Sequence, residues 1–354
     1  MRPALVIFCY AIAVGWVLPL VLVRLSERGV SPRLGLAAWL TAMFSAIASA
    51  TVALALLARV VIAGWPAFAR TVCESVTANT CPPALYRNAA YELGLAAIAF
   101  LGGALLIVLG WRYGRSLRRS SLRTRAHAEA ARITGHPITD PSVVGHPNMG
   151  DPISGHRIAD ASPAYLLDAT RPAVYCVPGR PPTIVLTTGA LAVLDPEQLT
   201  AVLAHERAHL NGRHHLLLAT TRALAAAVPL VPLFTRGTSA IARLAEMRAD
   251  DIAARHGRRP LLTALQAMAS SNAPTASALT PTPTVLAPAA APVPQALPAA
   301  SLAATGGIVP VRVQRLAHPP SRAQRLRYAV PLAALILAIA AASTLIPALA
   351  LTGH

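Results

Sequence analysis

Residues Ala4–Val23 read ALVIFCYAIAVGWVLPLVLV, twenty positions without a charge. A helix rises ~1.5 Å per residue, so about 20 apolar residues cross a hydrocarbon core about 30 Å thick. Three further stretches pass the same test: the 25 residues Leu34–Ala58, the 19 residues Leu93–Trp111, and the uncharged run that starts at Tyr328, with a span expected over 328–351. No small-x-small cleavage site precedes Arg24, so the first stretch reads as a retained span and not as a removed signal peptide. These four stretches make the chain a mainly α membrane protein.

The composition agrees. Of 354 residues 55% are hydrophobic and 13% charged, about half the ~25% charge of a soluble domain. All 31 basic residues are Arg against 14 acidic ones, a formal charge of +17. In a soluble chain that excess would suggest nucleic acid. Here the Arg residues flank the apolar runs, so positive-inside topology accounts for them and no direct nucleic-acid binding is expected. Segments after the first span, after the third and before the fourth carry fifteen Arg, whereas Arg2, Arg59, Arg70 and Arg87 fall on the other side. This count places both termini outside and residues 112–327 in the cytoplasm, in a multi-pass plasma-membrane protein. The outer loop 63–91 then holds Cys73 and Cys81, a candidate disulfide on the oxidising side. Cys9 reads as lipid-facing and Cys176 as a core thiol.

Between the third and fourth spans lies the segment with chemistry. Gly114–Gly135 reads as an Arg-rich helix that either prolongs the third span or lies along the headgroups. Residues 136–163 are broken by Pro and Gly and read as loop, and the His residues recurring at 136, 146 and 156 have no clustered partner. Ala173–Val177 (AVYCV) and Thr183–Thr188 (TIVLTT) read as strands. Asp195, Pro196 and Gln198 are an N-cap, a first-turn proline and the far half of a capping box, so a helix starts there.

That helix carries His205-Glu206-Arg207-Ala208-His209. Residues i and i+4 share a helix face, so both imidazoles can reach one ion, and Glu206 can hold a water beside it. Random placement of 11 His and 7 Glu in this length gives about 0.007 such motifs, so chance is a poor explanation. A zinc hydrolase needs a third protein ligand. Glu246, on a second helix ARLAEMRADDIAARHG ending at Gly257, is the outstanding candidate. Asp250 lies four residues on, placed to accept a hydrogen bond from the outer nitrogen of a ligand His. Standing alone, the Glu246–Asp250 pair would read as a solvated acidic face beside Arg243 or Arg248. His214 and His215 read as a polar helix edge, because i+5 leaves the metal face. Leu216–Phe234 reads as a buried or membrane-grazing continuation of the active-site helix, since a fifth span would put Arg222 in hydrocarbon. The uncharged, Pro-interrupted stretch 261–311 reads as a tether, followed by a basic juxtamembrane segment, 312–327.

The run AVYCVPGR, IVLTTGAL, LTAVLAHERAHLNGRHHLLL and EMRAD resembles the BlaR/MecR-type integral-membrane zinc peptidases, in particular their short actinobacterial relatives. The resemblance covers about 173–257, and the layout of three spans, protease and one span extends it. It implies a gluzincin-type α+β zinc peptidase domain over 112–260, one Zn²⁺ per chain on His205, His209 and Glu246, and Glu206 as the base. It also implies a cytoplasmic protein substrate, with a BlaI/MecI-like winged-helix repressor as the candidate. The penicillin-binding sensor that follows the last span of the better-known members is not expected here, so direct β-lactam sensing through such a domain is not expected either. Two other readings are an HtpX/CAAX-type quality-control or processing protease, and a non-catalytic transducer with structural zinc.

Overall fold

In a computed structural model of the chain, residues 2–27, 29–77, 83–138, 164–179, 181–271 and 308–352 are described. They fall into two compact units, one made of Met1–Arg118, Leu218–Leu244 and Ser321–His354, the other of Arg119–Leu217 and Ala245–Pro320.

The first unit contains the long apolar helices. α1 (Arg2–Trp16) and α2 (Leu18–Ser26) form one candidate span, Ala4–Ser26, interrupted beside Pro19, which sits in the first turn of α2. α3 (Pro32–Thr77), α4 (Pro83–Thr134) and α11 (Arg322–Thr352) carry the other three. Their apolar segments run with hydropathies of 2.2 to 2.6, as a hydrocarbon environment requires. Tyr10, Ser45 and Ser343 tie α1, α3 and α11 together: the Tyr10 hydroxyl lies 2.9 Å from Ser45 Oγ, which lies 2.7 Å from Ser343 Oγ. In lipid such polar contacts join helices that hydrophobicity alone does not drive together.

The helices are longer than the apolar runs. Residues 63–77 and 83–91, read from sequence as loop, are helical. Gly64 and Pro66 do not break α3, because a helix already long on both sides tolerates one missing donor. Cys73 is exposed on α3, and Cys81 lies outside the described residues.

The segment after the motif helix is not its continuation. α7 (His214–Ala227) and α8 (Pro232–Ala253) are separate helices, and residues 218–244 belong with the apolar helices. Gly237 sits close against Met43 and Trp39 of α3, where a Cβ would require both side chains to shift.

The second unit is built on a four-stranded mixed sheet, order β1-β2-β4-β3, of β1 (His136–Ile138), β2 (Ala164–Leu167), β3 (Val174–Val177) and β4 (Thr183–Thr187). Only β2 and β4 pair in parallel. β3 and β4 match the strands legible in the sequence. β1 and β2 are three and four residues long, too short for alternation to register. One sheet face, with Val174, Ile184 and Leu186, packs on α6 (Pro196–Asn211) and α9 (Arg258–Ser271); the other, with Tyr175, Val177 and Val185, packs on Ala128 and Ala131 of α4. α5 (Thr188–Val193) links β4 to α6.

α9 corrects the reading of 261–311 as a tether from its first residue. Leu261, Ala264, Leu265 and Met268 recur at i, i+3, i+4 and i+7 and are buried in the core. The signal was present, but the absence of charge masked it. Leu265→Ala should therefore cost about 2–5 kcal/mol, read as a lowered unfolding midpoint of the detergent-solubilised protein, whereas a tether position would leave the midpoint unchanged.

Candidate metal centre

Two helices bring the site together. α6 begins where the sequence signals it: Asp195 Oδ1 accepts from Gln198 N (2.8 Å), and Gln198 Oε1 accepts from Asp195 N (3.1 Å). This fixes the helix start and hence which face His205, Glu206 and His209 occupy. All three are buried beside the sheet. α8 supplies Glu246 and Asp250, one turn apart and both buried.

His205 Nε2 and His209 Nε2 lie 3.0 Å apart, and Glu246 places Oε2 3.5 Å from the first and Oε1 3.4 Å from the second. The outer ring nitrogens are engaged elsewhere. His205 Nδ1 lies 3.0 Å from Asp250 Oδ1, and His209 Nδ1 lies 2.9 Å from His214 Nδ1. Each Nδ1 thus faces a side chain outside the cluster, and with the ring protons carried on Nδ1 each Nε2 would present a lone pair. Four acceptor atoms then converge in a buried space, an arrangement that is repulsive without a cation. Two imidazoles and a carboxylate are the donor set of a gluzincin-like zinc site, and the three ligand atoms fall within 4.8 Å of one another. The residues therefore fit zinc.

Electrostatics reinforce the arrangement. Burial disfavours the charged form of His205, but Asp250 and Glu246 outweigh it and raise the ring to about 9; a proton and zinc are alternative occupants of its Nε2. Burial also works against ionised Glu246, yet the neighbouring His209 and Arg312 hold it well below the usual carboxylate range. Burial raises Glu206, as expected of a carboxyl enclosed by protein. Glu206 Oε2 accepts from the Cys176 backbone N–H (3.0 Å), while its buried Oε1 has no hydrogen-bond partner among the described residues.

Comparison with protein-family models matches residues 164–327 to peptidase family M48. The chain carries an M48 peptidase. It is thus a zinc metallopeptidase, a hydrolase, whose zinc site is the buried His205, His209 and Glu246 group, in a multi-pass membrane protein. No solved structure matches the chain.

The M48 segment runs well beyond the 112–260 read from sequence. It takes in α10 (Val309–Ala317), which the sequence reading divided between the tether and a basic juxtamembrane segment. Arg312 and Arg315, counted there as topology-setting charges, are buried in ion pairs: Arg312 with Asp250 and Glu246, Arg315 with Asp251 at 2.8 Å. No local signal marks them, since their partners lie more than sixty positions away.

His214 is the other correction. It is 1% exposed and faces His209, not solvent. α6 ends at Asn211, and the Gly212–Arg213 turn, with Arg213 at φ 49°, re-aims the chain so that spacing along one straight helix no longer applies. Burial first, then His209 and Arg248, lower the His214 ring to about 3, so it stays neutral and can accept at Nδ1. His214→Leu should keep the fold and weaken zinc retention by about 10–100-fold in chelator competition; retention equal to wild type would mean that His209 needs no acceptor there.

Proposed function

We propose that this M48 peptidase is a membrane-bound zinc endopeptidase that hydrolyses a peptide bond in a cytoplasmic protein, with Glu206 as its general base. The observation that carries this reading is the state of Glu206. It follows the first His ligand, is fully buried, and has one oxygen fixed by the Cys176 N–H and the other unpartnered among the described residues. A structural zinc site has no use for such a group, so the transducer with structural zinc is disfavoured.

Zinc held by His205, His209 and Glu246 supplies a Lewis acid that activates water and polarises a peptide carbonyl. The protein side of the chemistry is proton handling. Cys176 N–H anchors Glu206 Oε2, which leaves Oε1 to take the proton of the attacking water and return it to the leaving amine. Burial raises the Glu206 carboxyl above its ordinary value, the direction that favours its taking up a proton. Asp250 and His214 hold the two ligand rings through their outer nitrogens.

The substrate reading rests on layout. Three long apolar helices precede the peptidase segment and one follows it, as in the BlaR/MecR-type proteins, and this supports a BlaI/MecI-like repressor as the protein cleaved. Charge asymmetry supports both termini outside and the peptidase in the cytoplasm. Two outcomes test this reading. Glu206→Gln should retain zinc and lose proteolysis by at least about 10³-fold, whereas wild-type cleavage by that variant removes the base from the mechanism. A proteome-wide search for new N-termini, wild type against Glu206→Gln, should reveal a cleaved cytoplasmic repressor; cleaved membrane or lipidated proteins alone would replace that substrate with those of an HtpX/CAAX-type enzyme. For orientation, a cysteine placed at position 290 should be shielded from an impermeant thiol reagent in intact cells, and labelling there would reverse the topology.

A further inference from the structure

Arg312 is among the largest fully buried side chains, with 0% exposure. Its guanidinium forks onto Asp250, Nε donating to Oδ2 at 2.8 Å and Nη2 to Oδ1 at 2.6 Å. Nη1 lies 3.0 Å from Glu246 Oε2. One planar cation thus spans two carboxylates a single turn apart on α8, where like charges repel. The Asp250 oxygen it holds, Oδ1, is the one beside His205 Nδ1, and the Glu246 oxygen is one that faces His205 Nε2.

Charge arithmetic gives this contact a purpose. Three carboxylates are buried here: Glu206, Glu246 and Asp250. A zinc ion and one guanidinium balance them. Without Arg312 the Glu246 and Asp250 carboxylates would lose the partner they share and would turn apart. A rotated Asp250 leaves the outer side of His205, and a rotated Glu246 carries its oxygens away from the two Nε2 atoms. Lysine would supply the charge but not the planar fork.

We propose that Arg312 is a positioning residue of the metal centre, bridging Glu246 and Asp250 and so holding both in the orientation that zinc needs. The centre is therefore completed by α10, which follows the Pro/Ala-rich stretch in sequence and is no part of the H-E-x-x-H neighbourhood. This inference rests on the zinc site and not on the identity of the substrate. Arg315 is the built-in control. It lies one turn further along α10 and also grips α8, through Asp251 (2.8 Å) and the Met247 carbonyl (3.4 Å).

The test uses the full-length protein in detergent, stripped of metal and titrated with zinc against a chelator, and with Co²⁺ for its visible spectrum. Thermal unfolding confirms that each variant is folded. Arg312→Gln should weaken zinc about 10–100-fold and alter the Co²⁺ spectrum, Arg312→Lys should recover part of the loss, and Arg315→Gln should stay within about threefold of wild type with an unchanged spectrum. The proposal is overturned by wild-type zinc affinity in Arg312→Gln, by tighter binding there, which would make the guanidinium a competitor of the ion, or by equal losses in Arg312→Gln and Arg315→Gln, which would reduce Arg312 to docking α10. Should Arg312→Gln not fold, Arg312→Lys decides: weakened zinc with an altered spectrum supports the proposal, and wild-type values overturn it.

Discussion

Four acceptor atoms meet in a space from which water is largely excluded: two imidazole Nε2 atoms 3.0 Å apart and the two oxygens of Glu246. Such a cluster is unfavourable until a cation occupies it, and much of the second unit is arranged around that need. α6 and α8 must be held side by side. Asp250 and His214 must stand beside the outer nitrogens of the two rings. Arg312 must offset the carboxylates that the ligands and their supports introduce. The sheet enters through one backbone group, the Cys176 N–H on Glu206, which makes β3 part of the chemistry as well as of the core.

The two outer partners of the ligand histidines differ in kind. Asp250 is anionic and held below the usual carboxylate range, although burial opposes this, by the Arg312 charge and hydrogen bonds. His214 is neutral and kept so by burial and by nearby positive groups. His205 therefore gains basicity from its support. Placing the anion and its balancing arginine on one side of the centre limits the net charge that must be buried.

Local features were the legible ones. The H-E-x-x-H spacing, the capping box at Asp195 and the uncharged stretches each state their meaning within a few residues, and the structure places them as read. The structure also brings Glu246 and Asp250 to the two histidines. What the sequence concealed is long-range. Arg312 finds its carboxylates 62 and 66 positions upstream, so its pairing leaves no periodic trace, and among many flanking arginines it looked like one more topology signal. His214 was misjudged because a turn, and not a straight helix, connects it to His209. α9 carried a regular apolar pattern but sat at the head of an uncharged, proline-rich stretch whose composition dominated the reading.

Zinc sits on two imidazoles and a carboxylate, and the nearby thiol of Cys176 takes no part. Burial pushes that thiol upward, with Glu206 adding to the effect, which keeps it protonated and a poor ligand. Zinc-edge X-ray absorption on the purified full-length protein tests this directly. The expected result is a first shell of nitrogen and oxygen only, at about 2.0–2.2 Å, with the outer-shell pattern of two imidazoles. A sulfur scatterer at about 2.3 Å, or fewer than two imidazoles, would contradict it.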